Sequence, residues 1–165
     1  MGTITKKVKR HPKPGDILSL LQGESMDHLE NIDAVERMQS YIESHLKGNI
    51  TLHQLADAAG YSPWHAAKIF KELTGKSPFE YIRLLRLSRA AVRLREEDVK
   101  IVDVAFDFVF DSHEGFTRAF SKQFGLTPQN YIRYKTPVRL FLPEPIREKY
   151  LALERGEFKM TETQK

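Results

Sequence analysis

From Ile32 to Tyr134 the apolar residues recur at intervals near 3.6, the period of an α-helix with one buried face. Ile32, Val35, Met38, Tyr41, Ile42 and His45 share such a face, and Gly48 closes that helix. Thr51 is placed to cap a short helix carrying Leu52, Leu55, Ala56 and Ala59 on one side. Gly60 ends it, Ser62 with Pro63 in its first turn starts another, and Gly75 ends that one. Ser77-Pro78 opens a long helix running to about Arg95, where Glu96-Glu97-Asp98 breaks the pattern.

Laid on itself, the chain repeats. Shifted by 49 residues, Leu52, Leu55, Ala56 and Tyr61 fall on Ile101, Val104, Ala105 and Phe110. After one inserted residue, Asp111, the shift becomes 50: Ser62 matches Ser112, Lys68 Arg118, Phe70 Phe120 and Gly75 Gly125. Ser77-Pro78 with Tyr81-Ile82-Arg83 then matches Thr127-Pro128 with Tyr131-Ile132-Arg133. Each copy is a short apolar-faced helix, a tight turn and a second helix with its own core stripe. The stripe is Ala66, Ile69, Phe70 and Leu73 in the first copy, and Phe116, Ala119, Phe120 and Phe124 in the second. Ala56 and Ala105 are small where the two helices must approach closely. The pattern predicts an all-α fold of two tandem helix-turn-helix subdomains joined by a long shared helix.

Outside the core stripe the second helix of copy one presents Trp64, His65, Ala67, Lys68 and Lys71. The second helix of copy two presents the equivalents Glu114, Gly115, Thr117, Arg118 and Ser121, with His113 one turn before Thr117, and Lys122 joins the DNA-binding candidates. A polar face of this kind near a helix N-terminus suits the major groove of double-stranded DNA, where Arg reads guanine and Trp or Thr meets a thymine methyl. Ser62 and Ser112 are placed to cap these helices and to meet phosphates. Each residue has a plainer alternative. Trp64 would also serve to cover the core edge, and Glu114 stands four residues from Arg118, the spacing of a surface ion pair. Arg83, Arg86, Arg89 and Arg93 on the long helix divide between phosphate clamps and an ordinary solvated face. The linking helix of nineteen residues spans about 28 Å at 1.5 Å per residue, so with its flanking turns it allows a spacing of about 34 Å, one turn of DNA.

Composition narrows the field without deciding it. The chain has 165 residues, a net charge of +4 and no cysteine, which excludes disulfides, thiolate zinc sites and cysteine nucleophiles and makes a reducing cytoplasm the default compartment. Between Ile32 and Lys135 fifteen Lys and Arg face thirteen Asp and Glu. DNA binding there must therefore rest on charge placement and be sensitive to salt. No third ligand accompanies His65 or His113, and Ser112-His113-Glu114, being contiguous, is no catalytic triad. No Gly-rich phosphate loop and no paired carboxylates appear. No metal, cofactor or enzyme activity is expected.

The runs LADAAGYSPWHAAKIFKELTGKSPFEYI and AFDFVFDSHEGFTRAFSKQFGLTPQNYI resemble the AraC/XylS family of bacterial regulators, and within it the compact MarA, SoxS and Rob type. The resemblance covers about residues 31–135. It implies two three-helix subdomains sharing a long helix, promoter binding, contact with RNA polymerase, and activation more than repression. Carried over, the base-reading positions are Trp64, Ala67 and Lys68, then His113, Glu114, Thr117 and Arg118. One position departs: where copy one has Gly60, and the family usually a second glycine, stands Val109. If positive φ is required there, valine costs on the order of 1 kcal/mol, unless the turn shifts and Asp111 absorbs it.

The domain reading is a basic, flexible arm over residues 1–30, subdomains over 31–95 and 96–135, and a C-terminal extension over 136–165. The arm holds Lys6, Lys7, Lys9, Arg10 and Lys13, with Pro12 and Pro14 as helix breakers. In the extension, Val138 to Leu142 reads as an extended apolar run in need of a partner, and Ile146 to Glu154 as a helix. It resembles the entry to a GyrI-like effector domain, through which a small-molecule effector would act. The chain is then a compact regulator or the first part of a longer one. The competing class is a ligand-sensing or protein-interaction module in which DNA contact is secondary.

Overall fold

A computed structural model describes residues 14–156, with side chains from residue 26 onward. Eight helices lie among the described residues, with no strand. They are α1 (Pro14–Ser44), α2 (Leu52–Ala59), α3 (Pro63–Thr74), α4 (Pro78–Glu96), α5 (Ile101–Asp107), α6 (His113–Phe124), α7 (Pro128–Tyr134) and α8 (Ile146–Glu154). The chain divides into compact units at Asn31 and Ile32, and the second unit holds both repeats. Residues 1–30 were expected to form a flexible arm with Pro14 as a helix breaker, yet α1 begins at Pro14. Proline's fixed φ and missing N–H suit a first helical turn, where no intrahelical bond is lost. The basic residues of the arm, Lys6 to Lys13, lie outside the described residues.

Capping explains where the helices start and stop. Thr51 and Gln54 form a capping box on α2: the threonine hydroxyl accepts the Gln54 N–H at 3.3 Å, and the Gln54 side chain accepts the Thr51 N–H at 2.8 Å. Ser62, Ser77, Ser112 and Thr127 cap α3, α4, α6 and α7, each accepting the N–H three residues on.

The core forms where the apolar stripes meet. Ile32, Val35, Met38 and Ile42 of α1 are fully buried, as are Leu55, Phe70, Phe116, Phe120 and Val104 from the two copies. Burying each such side chain stabilises the fold by roughly 1.5–3 kcal/mol. Ala56 and Ala105 are buried as the close-approach reading requires. The shared helix α4 packs against α3, α5, α6 and α7, and buries Tyr81, Ile82, Leu85, Leu87, Ala90, Ala91 and Leu94.

Of the arginines at positions 83, 86, 89 and 93 on α4, three are engaged by partners within the fold. Arg86 donates to the carbonyls of Leu46 (3.0 Å) and Gly48 (2.7 Å) just beyond α1, where peptide oxygens lack helical partners. Burial there lowers its pKa. Arg89 pairs with Glu43 at 3.1 Å, and Arg93 with Glu97 at 3.0 Å and with Asp107. Arg83 remains exposed.

The C-terminal extension finds its partner on α4. The Phe141 N–H donates to the Ser88 hydroxyl at 2.7 Å, which satisfies a buried polar side chain. The Phe141 ring meets Tyr81 edge to face at 5.0 Å. Beyond it α8 covers the expected residues, with Ile146 buried and Arg147 paired to Asp33 and Glu36 of α1.

Candidate nucleic-acid interface

Each repeat holds its second helix by the same local devices. In copy one the Gly60 N–H returns to Ala56 and Asp57, and the Tyr61 N–H to Ala56 at 3.1 Å. In copy two the Val109 N–H returns to Phe106 at 2.9 Å and the Phe110 N–H to Ala105 at 3.0 Å, the matching positions. Gly60 has φ 75° and Val109 has φ 62°, so the valine sits in the left-handed region that a glycine occupies without penalty. The expected relief by Asp111 therefore does not occur at this turn. The inserted aspartate acts one step later: Ser112 caps α6 at φ −155°, whereas Ser62 caps α3 at φ −64°. Gly115 is suited to this cap, since a Cβ there would lie 3.1 Å from the Ser112 hydroxyl. Its N–H reaches that hydroxyl at 3.0 Å, against 3.3 Å for His65 and Ser62.

On α3, Trp64 is 72% exposed on the first turn, a large apolar surface that nothing in the core requires. Lys68, one turn on, lies 5.4 Å from the centre of its ring and 3.9 Å from the Glu72 carboxylate. The lysine is thus positioned by an aromatic face and a weak ion pair, both on exposed side chains. His65 is half-buried, its ring edge-on to Tyr61 at 4.6 Å. Ala67 is half-buried beside Lys68, and Lys71 is exposed in the last turn. The plain alternative of Trp64 as a cover for the core edge does not fit its exposure.

On α6, His113, Glu114, Arg118 and Lys122 are exposed, while Thr117 is half-buried. His113, Glu114, Thr117 and Arg118 together line one surface notch of about 370 Å³. Among the described residues Arg118 makes no hydrogen bond or ion pair, so the Glu114–Arg118 pair allowed by spacing is not formed. Beside it a groove of about 510 Å³ runs between α4 and the α5–α6 turn, with Phe79, Arg83, Val109 and Arg118 along it. Phe79, which the sequence reading did not single out, sits opposite the α4 core stripe. Its 52% exposure marks it only in the structure.

Most candidates thus gather on the first two turns of two helices that occupy equivalent places in a repeated unit, with Lys71 and Lys122 in the last turns. Comparison with known proteins bears on the fold and the family. A family model described as a helix-turn-helix domain matches residues 55–134. The right origin-binding protein of Escherichia coli K12 is 41% identical over 122 residues, which cover 74% of this chain and 40% of that protein. The HTH-type transcriptional activator AarP of Providencia stuartii is 32% identical over 91 residues, covering 55% of this chain and 67% of AarP. The chain therefore spans about 40% of the length of the origin-binding relative but two thirds of AarP. Among solved structures, the DNA-binding domain of AdpA, in complex with a target DNA, superposes with a TM-score of 0.58 at 24% identity. That match covers 62% of this chain and 92% of the other, and shows a shared fold.

Proposed function

Because the chain belongs to the AraC-type helix-turn-helix family of transcriptional regulators, we propose that it reads an asymmetric promoter site of about 20 bp with α3 and α6 in successive major grooves. The observation that carries this reading is the paired exposure of Trp64 with Lys68 and of Glu114 with Arg118 at matching places in the two copies. Trp64 and Ala67 offer apolar contacts to thymine methyls, Lys68 a cation held beside Trp64, and Arg118 a fork for guanine. Glu114 accepts from cytosine, while His113, Lys71 and Lys122 face the sugar–phosphate edges with the capped N-termini at Ser62 and Ser112. His65 packs on Tyr61 and orients the first turn. The nineteen residues of α4 span about 28 Å, consistent with grooves about 34 Å apart once the flanking turns are added.

In this reading residues 31–95 and 96–135 are the two DNA-reading subdomains, the compartment is the cytoplasm, and the outcome is activation through RNA polymerase. The extension after Lys135 leads toward an effector domain. No helix among the described residues is long and apolar enough to cross a membrane. Selection of bound fragments from random DNA, followed by binding with Lys68→Ala and Arg118→Ala, tests the reading. Each substitution is expected to cost about 1–3 kcal/mol of specific binding and to relax sequence preference in its own half of the site. Specific binding untouched by both would show that the recognition faces lie elsewhere.

A further inference from the structure

The extended segment of residues 136–145 roofs a cleft that lies apart from every groove-facing candidate. The cleft measures about 760 Å³ and opens between this segment and the α3–α4 turn. Small-ligand sites typically enclose roughly 300–1,000 Å³. Leu73, Tyr81, Phe141 and Ile146 supply its apolar lining, and Lys76 and Arg139 its cations. Leu73 ends the core stripe of α3 yet stays only half-buried, because one of its sides borders the cleft. The Gln39 amide donates to the Tyr81 hydroxyl at 3.0 Å, which holds that ring in place.

Charge decides the class of occupant. Glu144 also lines the cleft, but Lys149 engages its carboxylate at 2.6 Å. Lys76 has a loose 3.9 Å contact with Glu80 and faces the Phe141 ring at 6.0 Å. Arg139 makes no hydrogen bond or ion pair among the described residues. A guanidinium without a partner beside an apolar cleft is complemented by a carboxylate on an apolar body.

We propose that this cleft binds a small amphipathic anion, an aryl or alkyl carboxylate, with its charge at Arg139 and Lys76 and its body against Leu73, Tyr81 and Phe141. A ligand there joins the extended segment to the α3–α4 turn. The rings of Phe141, Tyr81 and Phe70 meet in series at 5.0 and 5.1 Å, from that segment into the core of α3. Occupancy therefore stiffens the first helix-turn-helix unit. The site shares no residue with the proposed DNA-reading faces, so either reading can fail without the other.

The test titrates phenylbutyrate, phenylbutanol and phenylbutylamine into the full chain, followed by methyl NMR and thermal melting. Phenylbutyrate is expected to raise the melting temperature and to shift the methyl signals of Leu73 and Ile146. The alcohol and the amine should bind at least about tenfold more weakly. Arg139→Ala, an exposed position whose loss leaves the ligand-free melt in place, should weaken the carboxylate by about tenfold, and Lys76→Ala by less. Absence of binding, equal binding of alcohol and carboxylate, methyl shifts confined to other sites, or unchanged binding in Arg139→Ala would each overturn the proposal.

Discussion

In the first copy the turn after α2 passes through Gly60 at φ 75°, and in the second the corresponding hydrogen bonds close around Val109 at φ 62°. The copies also differ in what supports them. Arg37 of α1 donates to the carbonyls of Ala58 (3.0 Å) and Ala59 (2.8 Å) at the end of α2. In copy two the position of Ala58 is taken by Asp107, and Arg93 pairs with that side chain instead. Arg86, which stands 49 residues after Arg37, turns back to the carbonyls beyond α1. The core stripes differ as well. Phe70 meets Tyr81, which Phe141 covers in turn, whereas Phe120 meets Phe116, Phe124 and Tyr131. One repeated motif is therefore held in the first copy by long-range caps and the C-terminal segment, and in the second by its own aromatic cluster.

The largest test of that contrast is truncation of the central ring in each copy. Phe70→Ala and Phe120→Ala should each cost about 3–5 kcal/mol, with Phe120 at the upper end because it loses three ring contacts. Chemical denaturation measures both, and a larger loss at Phe70 would reverse the assignment of the aromatic cluster as the stronger support. Next comes Arg86→Met, which leaves the Leu46 and Gly48 carbonyls without their charged donor. The expected loss is about 2 kcal/mol. Amide exchange should quicken at the end of α1 and in the first copy before the second. Uniform quickening would mean that the arginine supports both units alike.

Val109→Gly is expected to act in the opposite direction. Releasing a β-branched residue from the left-handed region gains about 1–2 kcal/mol, and the freer unfolded chain takes back roughly half of that. The variant should melt a few degrees higher, by about 0.5–1 kcal/mol of stability. A melt no higher than the parent's would remove strain from the difference between the turns. Gly60→Val is the mirror experiment and should destabilise the first copy by a similar amount.

The smallest effect lies at the exposed Arg93–Asp107 pair. The hydrogen bond from Arg93 holds the Asp107 carboxyl below its ordinary pKa. Its stabilising contribution is therefore present above the ordinary carboxylate value and is lost as pH falls from about 4 downward. Asp107→Asn should flatten that part of the acid denaturation curve and leave the neutral melt nearly unchanged. An unaltered acid limb would show that solvent screens the pair completely.

Much of this molecule is legible in its sequence because helices and caps are local. Apolar periodicity located α2 to α7 to within a residue or two at most ends, and Thr51, Ser62, Ser77 and Ser112 cap as their spacing predicts. Even the strained turn was visible, since Val109 stands where the repeat demands the backbone of Gly60. The candidate faces of α3 and α6 follow from the same period, being whatever the core stripe leaves outside.

The arginines of α4 show where such reading stops. A run at positions 83, 86, 89 and 93 looks like one charged face, but Arg86 reaches carbonyls 38 and 40 residues away and Arg89 a carboxylate 46 away. Backbone carbonyls carry no side-chain signature, so no spacing rule announces them as partners. The sequence by itself determined a repeated, capped, all-helical pair of units and the faces they leave exposed, because those depend on contacts within a few residues. Only the tertiary structure decided which cations are consumed internally, where the apolar C-terminal run docks, and that its docking leaves a cleft. Each of those depends on segments brought together by packing, whose partners are chosen by geometry after the helices have formed.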